Sequence, residues 1–352
     1  MENMVLRTVK GTKYYYLERT IRIGKKFRKI SVYLGKEKPP AQKTAFFEKQ
    51  LEEKVQSYYR NELLKPKTRF IDVKTATKLE AIKQEAHTFL DRLNAKQKKE
   101  WIEHERDKFI TNTNAIEGST LTLDETQRIL HLGEKLGDER ERLEVLNMER
   151  CLTKYEEDLY QKRELNETLL LGWHTILLNK IPNYDQYKGI WRPVNVRIRT
   201  SAFTFPPHER VPEMAHKMIQ GYHENKDQIH PVELAAIIHC EFTTMHPFAD
   251  GNGRIARLIM NYVLQTNGLP FTNIPVRKRE PYFETQEKGH HHEYEAFTQF
   301  LVEQIKENHI QMKEFLQRKD TLQILDKLTK KSTLTEEDVL EYGKKMLCCM
   351  II

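Results

Sequence analysis

Cysteine is scarce in this chain, with four among 352 residues. Cys151, Cys240, Cys348 and Cys349 include no C-x-x-C pair, which argues against a disulfide framework and a four-cysteine zinc site. A reducing, cytoplasmic setting is therefore the default expectation. The chain also lacks a run of about 18 apolar residues, the length that a transmembrane helix needs. Its start, MENMVLRTVKGTK, lacks the apolar segment of a signal peptide.

The excess of positive charge is small over the whole chain, at +7, but it is unevenly placed. Residues 1–70 contain 18 Lys and Arg against 7 Asp and Glu, whereas the other 282 residues contain 40 against 44. The length predicts two or three structural units, and the 39% of hydrophobic residues suffices for a core. We therefore expect a basic N-terminal region joined to a mildly acidic body.

The first forty residues have the pattern of β-strands. Tyr14–Leu17 and Arg19–Ile23 are rich in strand formers, and residues 27–34 alternate apolar with polar side chains. Gly11 and Gly24 stand where turns are needed. We predict a small antiparallel sheet of about three strands.

From Ala41 onward the pattern is helical nearly to the end. Strong helix formers fill residues 41–65 and 72–110, and Gly118 is placed to end a helix. Thr122 begins a capping signal for the next helix, and Leu169–Leu178 is predicted to be a buried helix. The fold class is therefore mainly α.

One segment interrupts this helical body. Val194, Val196 and Ile198 alternate with polar residues, and Phe203-Thr-Phe-Pro-Pro207 follows. This pattern predicts a short β-hairpin.

The segment that carries chemistry joins two predicted helices. The first runs from Val232 to about Thr244, is apolar almost all round, and leads into His246. The second runs from about Gly253 to about Gln265. Between them lies the polar, glycine-containing stretch 246–254.

Three residues of this stretch, and Arg257 just beyond it, suit a phosphate group. Gly251 and Gly253 carry no side chains, so their backbone N–H groups can approach a ligand closely. These groups lie at a helix N-terminus, where unpaired donors and the helix dipole favour anions. Arg254 and Arg257 can donate to further phosphate oxygens.

Two more residues complete a reactive set. Asp250 is an oxygen ligand suited to Mg²⁺, and His246 can accept a proton near neutral pH. A lone histidine or a lone G-x-G would most often be structural. The occurrence of all these groups within twelve residues favours a nucleotide site.

These residues resemble a known family. His246 to Arg257, H-P-F-A-D-G-N-G-R-I-A-R, matches every fixed position of the Fic-domain signature H-P-F-x-[D/E]-G-N-G-R-x-x-R. Gly189, Arg192 and Val194–Pro207 are similar to the family's flap, and Thr113–Gly118 matches its inhibitory motif [S/T]-x-x-x-E-[G/N]. The motif lies upstream of the core, which places the chain with the N-terminally autoinhibited class.

The resemblance implies a mainly helical protein that transfers AMP from ATP to a Ser, Thr or Tyr hydroxyl of a protein. His246 would be the base, Asp250 would hold Mg²⁺, and Arg257 would meet the γ-phosphate. The nucleotide-binding set implied by the family is Gly251, Asn252, Gly253, Arg254, Arg257, Asn261 and Tyr282, and the regulatory set is Thr113, Glu117 and Gly118.

Glu117 has three interpretations under this resemblance. Paired with Arg257, it would remove the partner of the γ-phosphate and place negative charge where phosphate should lie. In some family members the same glutamate positions water to remove AMP from a modified protein. Glu117 is therefore a brake, a hydrolytic residue, or both, and de-AMPylation remains an alternative function.

We divide the chain accordingly. Residues 1–38 form a β-rich module, 39–96 a helical extension, 97–310 the core and 311–352 a helical C-terminal segment. The core includes the inhibitory helix at about 100–118 and the flap at about 192–207. The flap is expected to align a protein substrate by strand addition. Since family members often form dimers, a homodimer is a further candidate assembly.

Three weaker signals have ordinary explanations. His290-His291-His292 is better explained as a solvated loop than as a metal site, although the histidines depart from the family pattern there. His239-Cys240 lies in an apolar helix, so core packing is preferred to a reactive pair. Cys349-Met-Ile-Ile352 resembles C-a-a-X only superficially, because Ile is not a typical last residue.

The basic N-terminal sheet leaves two interpretations open. Lys25, Lys26, Arg28 and Lys29 are interleaved with Tyr14, Tyr15, Tyr16 and Tyr33, a combination that can bind phosphates and stack bases. This combination gives a third hypothesis for the function, a nucleic-acid-associated regulator with an accessory Fic core. The alternative is a solvated, charged face with the tyrosines packing inside, and we favour it on the sequence alone.

Overall fold

The computed structural model describes residues 3–9, 11–23, 26–63, 68–197 and 203–329. Three strands come first: β1 (Asn3–Val9), β2 (Thr12–Ile23) and β3 (Lys26–Gly35). They form one antiparallel sheet in the order β1-β2-β3, with Leu17 opposite both Met4 and Val32. The predicted three-stranded sheet is confirmed.

Eleven α-helices follow in the described part of the chain. They are α1 (Ala41–Leu63), α2 (Val73–Phe89), α3 (Ala95–Ile116), α4 (Leu123–Leu132), α5 (Glu139–Tyr160), α6 (Glu167–Leu177), α7 (Val211–Asn225), α8 (Pro231–Met245), α9 (Asn252–Thr266), α10 (Arg279–His290) and α11 (Tyr294–Thr329). The mainly helical fold class is confirmed.

Local capping explains several helix boundaries. The Asn94 side chain accepts a hydrogen bond from the backbone N–H of Gln97, and the Gln97 side chain accepts one from the backbone N–H of Asn94. This pair caps the start of α3, just after α2 and a short 3₁₀ turn. Thr122 and Glu125 form the same reciprocal pair at α4. Gly118, just past the end of α3, has φ of +113°, a backbone conformation that favours glycine.

The apolar helix α8 lies in the centre of the main core. It packs against α7, α9, α10 and α11, and His239 and Cys240 on it are both fully buried, as predicted. The carboxylate of Glu233 on α8 accepts the backbone N–H groups of Arg69, Phe70 and Ile71 at 2.9–3.0 Å. This buried carboxylate attaches the segment before α2 to the core.

A separate small core lies beneath the sheet. Leu17, Ile21 and Val32 pack against Leu51 and Val55 of α1. We call residues 3–63, as far as they are described, the N-terminal module.

Some expectations need correction. Helical spacing puts Ile102, Phe109 and Ile116 on one face of α3, but Ile102 is 44% exposed, whereas Phe109 and Ile116 are buried. His290 is buried at the end of α10 and bonds to Thr244, so the solvated-loop interpretation holds only for the exposed His291 and His292. Helix α10 therefore extends to His290, and the loop that follows it begins only at His291.

The structure describes only part of the predicted hairpin. Its tip, residues 198–202, lies outside the described residues, and the described arms, 191–197 and 203–207, contain no β-strand. Residues 330–352, with the terminal C-a-a-X resemblance, also lie outside. Within the described ranges, no helix combines the length and hydropathy needed to span a membrane.

Candidate active site

The predicted phosphate cradle is formed where α8 ends and α9 begins. His246 ends α8 with φ of 47°, and Gly251 precedes α9 with φ of 81°. Asn252 accepts from the backbone N–H of Phe248 and donates to its carbonyl, both at 2.8 Å. These two bonds close the loop just before α9.

Glycine is required at two positions of this cradle for different reasons. A Cβ atom at Gly251 would lie 2.9 Å from a methyl of Leu177 on α6, which real side chains do not tolerate. A Cβ atom at Gly253 would lie 2.2 Å from the Glu117 carboxylate. A carboxylate therefore lies directly on the N-terminal end of α9, where an anion is favoured.

The end of α3 holds Arg257 at three points. Arg257 Nη2 donates to Glu117 Oε1 at 2.7 Å and to the Thr113 carbonyl at 2.9 Å, and Nε donates to Thr113 Oγ1 at 2.8 Å. Nη1 donates to Tyr282 Oη at 3.2 Å. Burial would lower the pKa of Arg257, but Tyr282 and Glu117 outweigh it and raise the pKa. The guanidinium is charged, and its donors are occupied.

The structure thus brings Thr113, Glu117, Arg257 and Tyr282 together, although 169 positions separate the first from the last. Arg257 is 1% exposed, whereas the side chain of Glu117 is 33% exposed. Glu117 can therefore leave the pair toward solvent more readily than Arg257 can.

Asp250 is held by two arginines. Arg254 Nη2 lies 3.3 Å from Oδ1, and Arg140 Nη2 donates to Oδ2 at 2.8 Å. Burial alone would raise the pKa of Asp250, but Arg254, Arg140 and the Gly251 N–H outweigh it, and the pKa is lowered. Asp250 is an anion, so its charge suits a cation ligand.

An open polar cleft of about 390 Å³ lies beside these groups. Its lining includes Glu117, Arg140, Glu141, Glu144, Asp250 and Arg254. Arg254 is 1% exposed, and its Nε is buried with no hydrogen-bond partner among the described residues. An unpaired buried guanidinium nitrogen is costly, and it fits an anion that would complete it. The residues therefore suit a polyphosphate with a divalent cation.

His246 lies next to the described end of the flap. Its ring centroid is 4.5 Å from that of Phe205. Burial, followed by the charges of Arg192 and His290, lowers the pKa of His246 to about 4. At neutral pH the imidazole is unprotonated, and an unprotonated imidazole can accept a proton.

Arg192 joins the arms of the flap to the loop. Its Nε donates to the His246 carbonyl at 2.8 Å, and its Nη1 donates to the Val194 carbonyl at 2.9 Å. A third bond goes to the Pro206 carbonyl. One buried guanidinium therefore fixes both arms against the residue predicted to be the base.

Asn261 is placed inside the fold. It is fully buried, donates to the carbonyls of Arg257 and Thr272, and accepts from the Thr272 N–H. A contact with the nucleoside would require these bonds to be exchanged. That role stays a prediction.

Sequence reasoning missed His174 on α6. Its Nδ1 accepts from the Gly189 N–H at 3.1 Å, and its Nε2 lies 3.1 Å from the Asp250 carbonyl. Its ring stacks on Phe248 at 3.6 Å between centroids. Burial lowers the pKa of His174 to about 4. A neutral His174 ring therefore contacts the backbone at Asp250 and packs against Phe248 in the loop before α9.

Arg140 and Glu144 on α5 were also missed. Glu144 lies 3.1 Å from Arg140 and 3.2 Å from Arg254. No motif pointed to them, because only the tertiary fold brings α5 beside Asp250. The sequence favoured a loop over a metal site for His290-His291-His292, and the described residues contain no group of three or more His, Cys, Asp or Glu side chains that could hold a metal ion.

Comparison with known proteins agrees with this geometry. The model of the Fic/DOC family matches residues 164–264. The chain is 30% identical over 201 residues to a protein adenylyltransferase Fic of Nematostella vectensis, and 32% identical over 180 residues to protein adenylyltransferase fic-1 of Caenorhabditis elegans. The matches cover 55% and 50% of this chain but only 45% and 35% of those relatives, so the chain matches less than half of their length.

Two solved structures share the fold. Fic-1 of C. elegans superposes with a TM-score of 0.63 at 22% identity, covering 80% of this chain and 79% of that one. A Fic-domain signalling protein of Bacteroides thetaiotaomicron gives 0.60 at 23%, covering 69% and 96%. The cradle of α8 and α9 lies inside residues 164–264, the part of the chain that matches the Fic/DOC family model and that is similar to the protein adenylyltransferases.

Proposed function

We propose that this chain transfers AMP from ATP to a hydroxyl group of a protein, and that Glu117 restrains the transfer. The observation that carries the proposal is the Glu117 carboxylate on the N-terminal end of α9, paired with Arg257 at 2.7 Å. A protein anion there occupies a place suited to phosphate. Displacing it would free one donor of Arg257, at Nη2, together with the helix end.

The reaction follows from the groups in place. The target oxygen forms a bond to the α-phosphorus of ATP, the bond from that phosphorus to the bridging oxygen breaks, and pyrophosphate leaves. His246 takes the hydroxyl proton, since its imidazole is neutral at pH 7. Arg254 and the first N–H groups of α9 stabilise the phosphate charge. Asp250 is the residue that would hold Mg²⁺, which neutralises phosphate charge when bound.

A protein substrate is proposed to dock on the flap. Arg192 fixes its two arms beside His246, so a segment laid along the flap would present a hydroxyl near the base. The dimer remains a prediction from the resemblance.

De-AMPylation is the second candidate. It is favoured by the position of Glu117, whose partly exposed carboxylate lies inside the cleft and could orient water toward a bound AMP. A purified AMP-modified substrate distinguishes the two: release of AMP by the wild type and not by Glu117→Gly supports hydrolysis.

The reaction class is tested with ATP labelled at either the α- or the γ-phosphate. The Glu117→Gly variant, incubated with divalent cation and with itself or a cell extract as acceptor, is expected to leave α-label on protein. Stable γ-label would contradict the proposal, because it indicates transfer of the terminal phosphoryl group instead.

A further inference from the structure

The face of the N-terminal sheet that points away from α1 carries a cluster of aromatic rings. Tyr33 on β3 lies between Tyr14 and Tyr16 of β2, with centroid distances of 5.9 and 5.6 Å. Strand side chains alternate between faces, and the opposite face carries Leu17 and Ile21, which pack on α1. Tyr33 is 50% exposed, so the sequence-based preference for tyrosines packing inside is wrong for Tyr33, whereas Tyr14 and Tyr16 are partly buried.

Cations are fixed next to these rings. The guanidinium of Arg7 on β1 lies 4.8 Å from the centre of the Tyr16 ring. Glu18 pairs with Arg7 and also with Lys29, whose Nζ is 3.5 Å away. Lys29 nevertheless keeps 59% of its side chain exposed, and Arg7 keeps 41%. We call Arg7, Tyr14, Tyr16, Lys29 and Tyr33 the tyrosine face.

The tyrosine face belongs to the most basic part of the chain. Residues 1–70 contain 18 Lys and Arg against 7 Asp and Glu. The active site does not use this charge, since its arginines, on α5, on α9 and in the flap, all lie outside residues 1–70. A polyanion is the partner whose charge complements such a region.

The three tyrosine rings indicate which kind of polyanion fits this surface. An acidic protein segment or a membrane surface would engage the cations and could contact the tyrosines, but a single strand presents a flat base beside each phosphate. Unpaired bases stack on such rings, and the phosphates between them bind cations along the same surface. In a duplex the bases are already stacked on one another, and their flat surfaces are not accessible.

We infer that the tyrosine face binds single-stranded nucleic acid, with bases stacked on Tyr33 and its neighbours and phosphates held by Lys29 and Arg7. This function is separate from nucleotidyl transfer, and its test does not require the transfer to occur.

The test is fluorescence anisotropy of a labelled 20-nucleotide oligothymidylate with the 352-residue chain. Tyr33→Ala should weaken binding about 5- to 150-fold, the range for loss of one stacked base. Tyr33→Phe keeps the ring and should bind like the wild type. The matched control is Tyr160→Ala, at the end of α5, where the tyrosine is 88% exposed and far along the chain from the sheet.

A charge variant keeps the test valid if Tyr33→Ala disturbs the sheet. Lys29→Gln should reduce the slope of log affinity against log salt by about 0.7, the contribution of one phosphate contact on a single strand. Lys217→Gln, on α7 and 68% exposed at the side chain, should leave the slope unchanged.

Three results would overturn the inference. They are equal binding by Tyr33→Ala and wild type, tighter binding of a duplex of the same length than of the single strand, and equal competition by polyglutamate at matched charge. Absence of measurable binding at low salt would overturn it as well.

Discussion

The phosphate cradle of α9 and the tyrosine face of the N-terminal module both place cations where phosphate could bind, but they are built in opposite ways. In the cradle, Arg254 and Arg257 are each 1% exposed and are fixed by carboxylates and a hydroxyl. On the tyrosine face, Lys29 and Tyr33 are at least half exposed. A buried, rigid site suits one compact anion, whereas an open surface suits a long and flexible one.

The two regions also differ in how the sequence encodes them. The cradle is one continuous motif with glycines at fixed positions, whereas the tyrosine face comes from three strands that must pair in register. For this reason the motif was readable from the sequence, and the face of the sheet on which each tyrosine lies was not.

The largest expected effect is a loss of AMP transfer that leaves nucleic-acid binding by the tyrosine face unchanged. Replacing His246 with Ala removes the proposed base, so AMP transfer by the Glu117→Gly protein should fall about 10²- to 10⁴-fold. ATP binding, measured by calorimetry, should be retained, and oligothymidylate binding should not change. His216→Ala, with 73% of its side chain exposed on α7, is the matched control. Undiminished transfer would exclude His246 as the base.

Acid should destabilise the core before it affects the module. Burial lowers the pKa of His174 to about 4, below the unfolded value of about 6.5. Between these values the unfolded state binds more protons, so this contribution to stability is present above pH 6.5 and is lost as pH falls toward 4. For the fully buried His174 the loss at pH 5 is on the order of 2 kcal/mol.

The module provides the internal comparison, because residues 1–86 of the chain, which include the module, contain no histidine. Hydrogen exchange at pH 7 and pH 5, corrected for intrinsic rates, should show a greater loss of protection in α8 and α9 than in β2. An equal loss in both regions, or a greater loss in β2, would contradict the assignment of acid sensitivity to the buried histidines.

The smallest expected effect is a change in the affinity of Asp250 for a divalent cation. Arg140, whose side chain is 42% exposed, occupies Oδ2 of this carboxylate at 2.8 Å, so a divalent cation must displace it. Because the pair is partly exposed, Arg140→Gln should tighten Mn²⁺ binding only a few-fold. Electron paramagnetic resonance of free Mn²⁺ measures this without turnover.

The control for this effect is Arg142→Gln on the same helix. Arg142 donates to the Gly137 carbonyl and not to Asp250. Equal Mn²⁺ affinity in Arg140→Gln and wild type would mean that Arg140 does not compete with the cation.

Much of the fold could be predicted from local signals. Gly118 marked the end of α3 because only a residue tolerant of positive φ follows that helix comfortably, and Thr122 marked α4 through its capping pair. The helices α8 and α9 were predicted within one or two residues. Periodicity and capping are local properties, and local properties can be read from one sequence.

The supporting residues could not be predicted in the same way. His174 bonds to Asp250 across 76 positions, and Arg140 bonds to it across 110. Nothing in the spacing of either residue indicates its partner, since the contact depends on how α5 and α6 pack against the loop. Ile102 shows the same limit, because helical periodicity placed it on a buried face and packing left it exposed.

The central claim, that Glu117 restrains AMP transfer through Arg257, is tested most directly by comparing α-label incorporation in wild type, Glu117→Gly and Glu117→Gln. Glu37→Gly, in the exposed loop after β3, controls for loss of a carboxylate elsewhere. We expect incorporation to rise roughly 5- to 150-fold in Glu117→Gly, the range of a typical coupling free energy. We expect a smaller rise in Glu117→Gln, which removes the charge but keeps the side chain over Gly253. Incorporation by Glu117→Gly no higher than that of the wild type and Glu37→Gly would contradict the account.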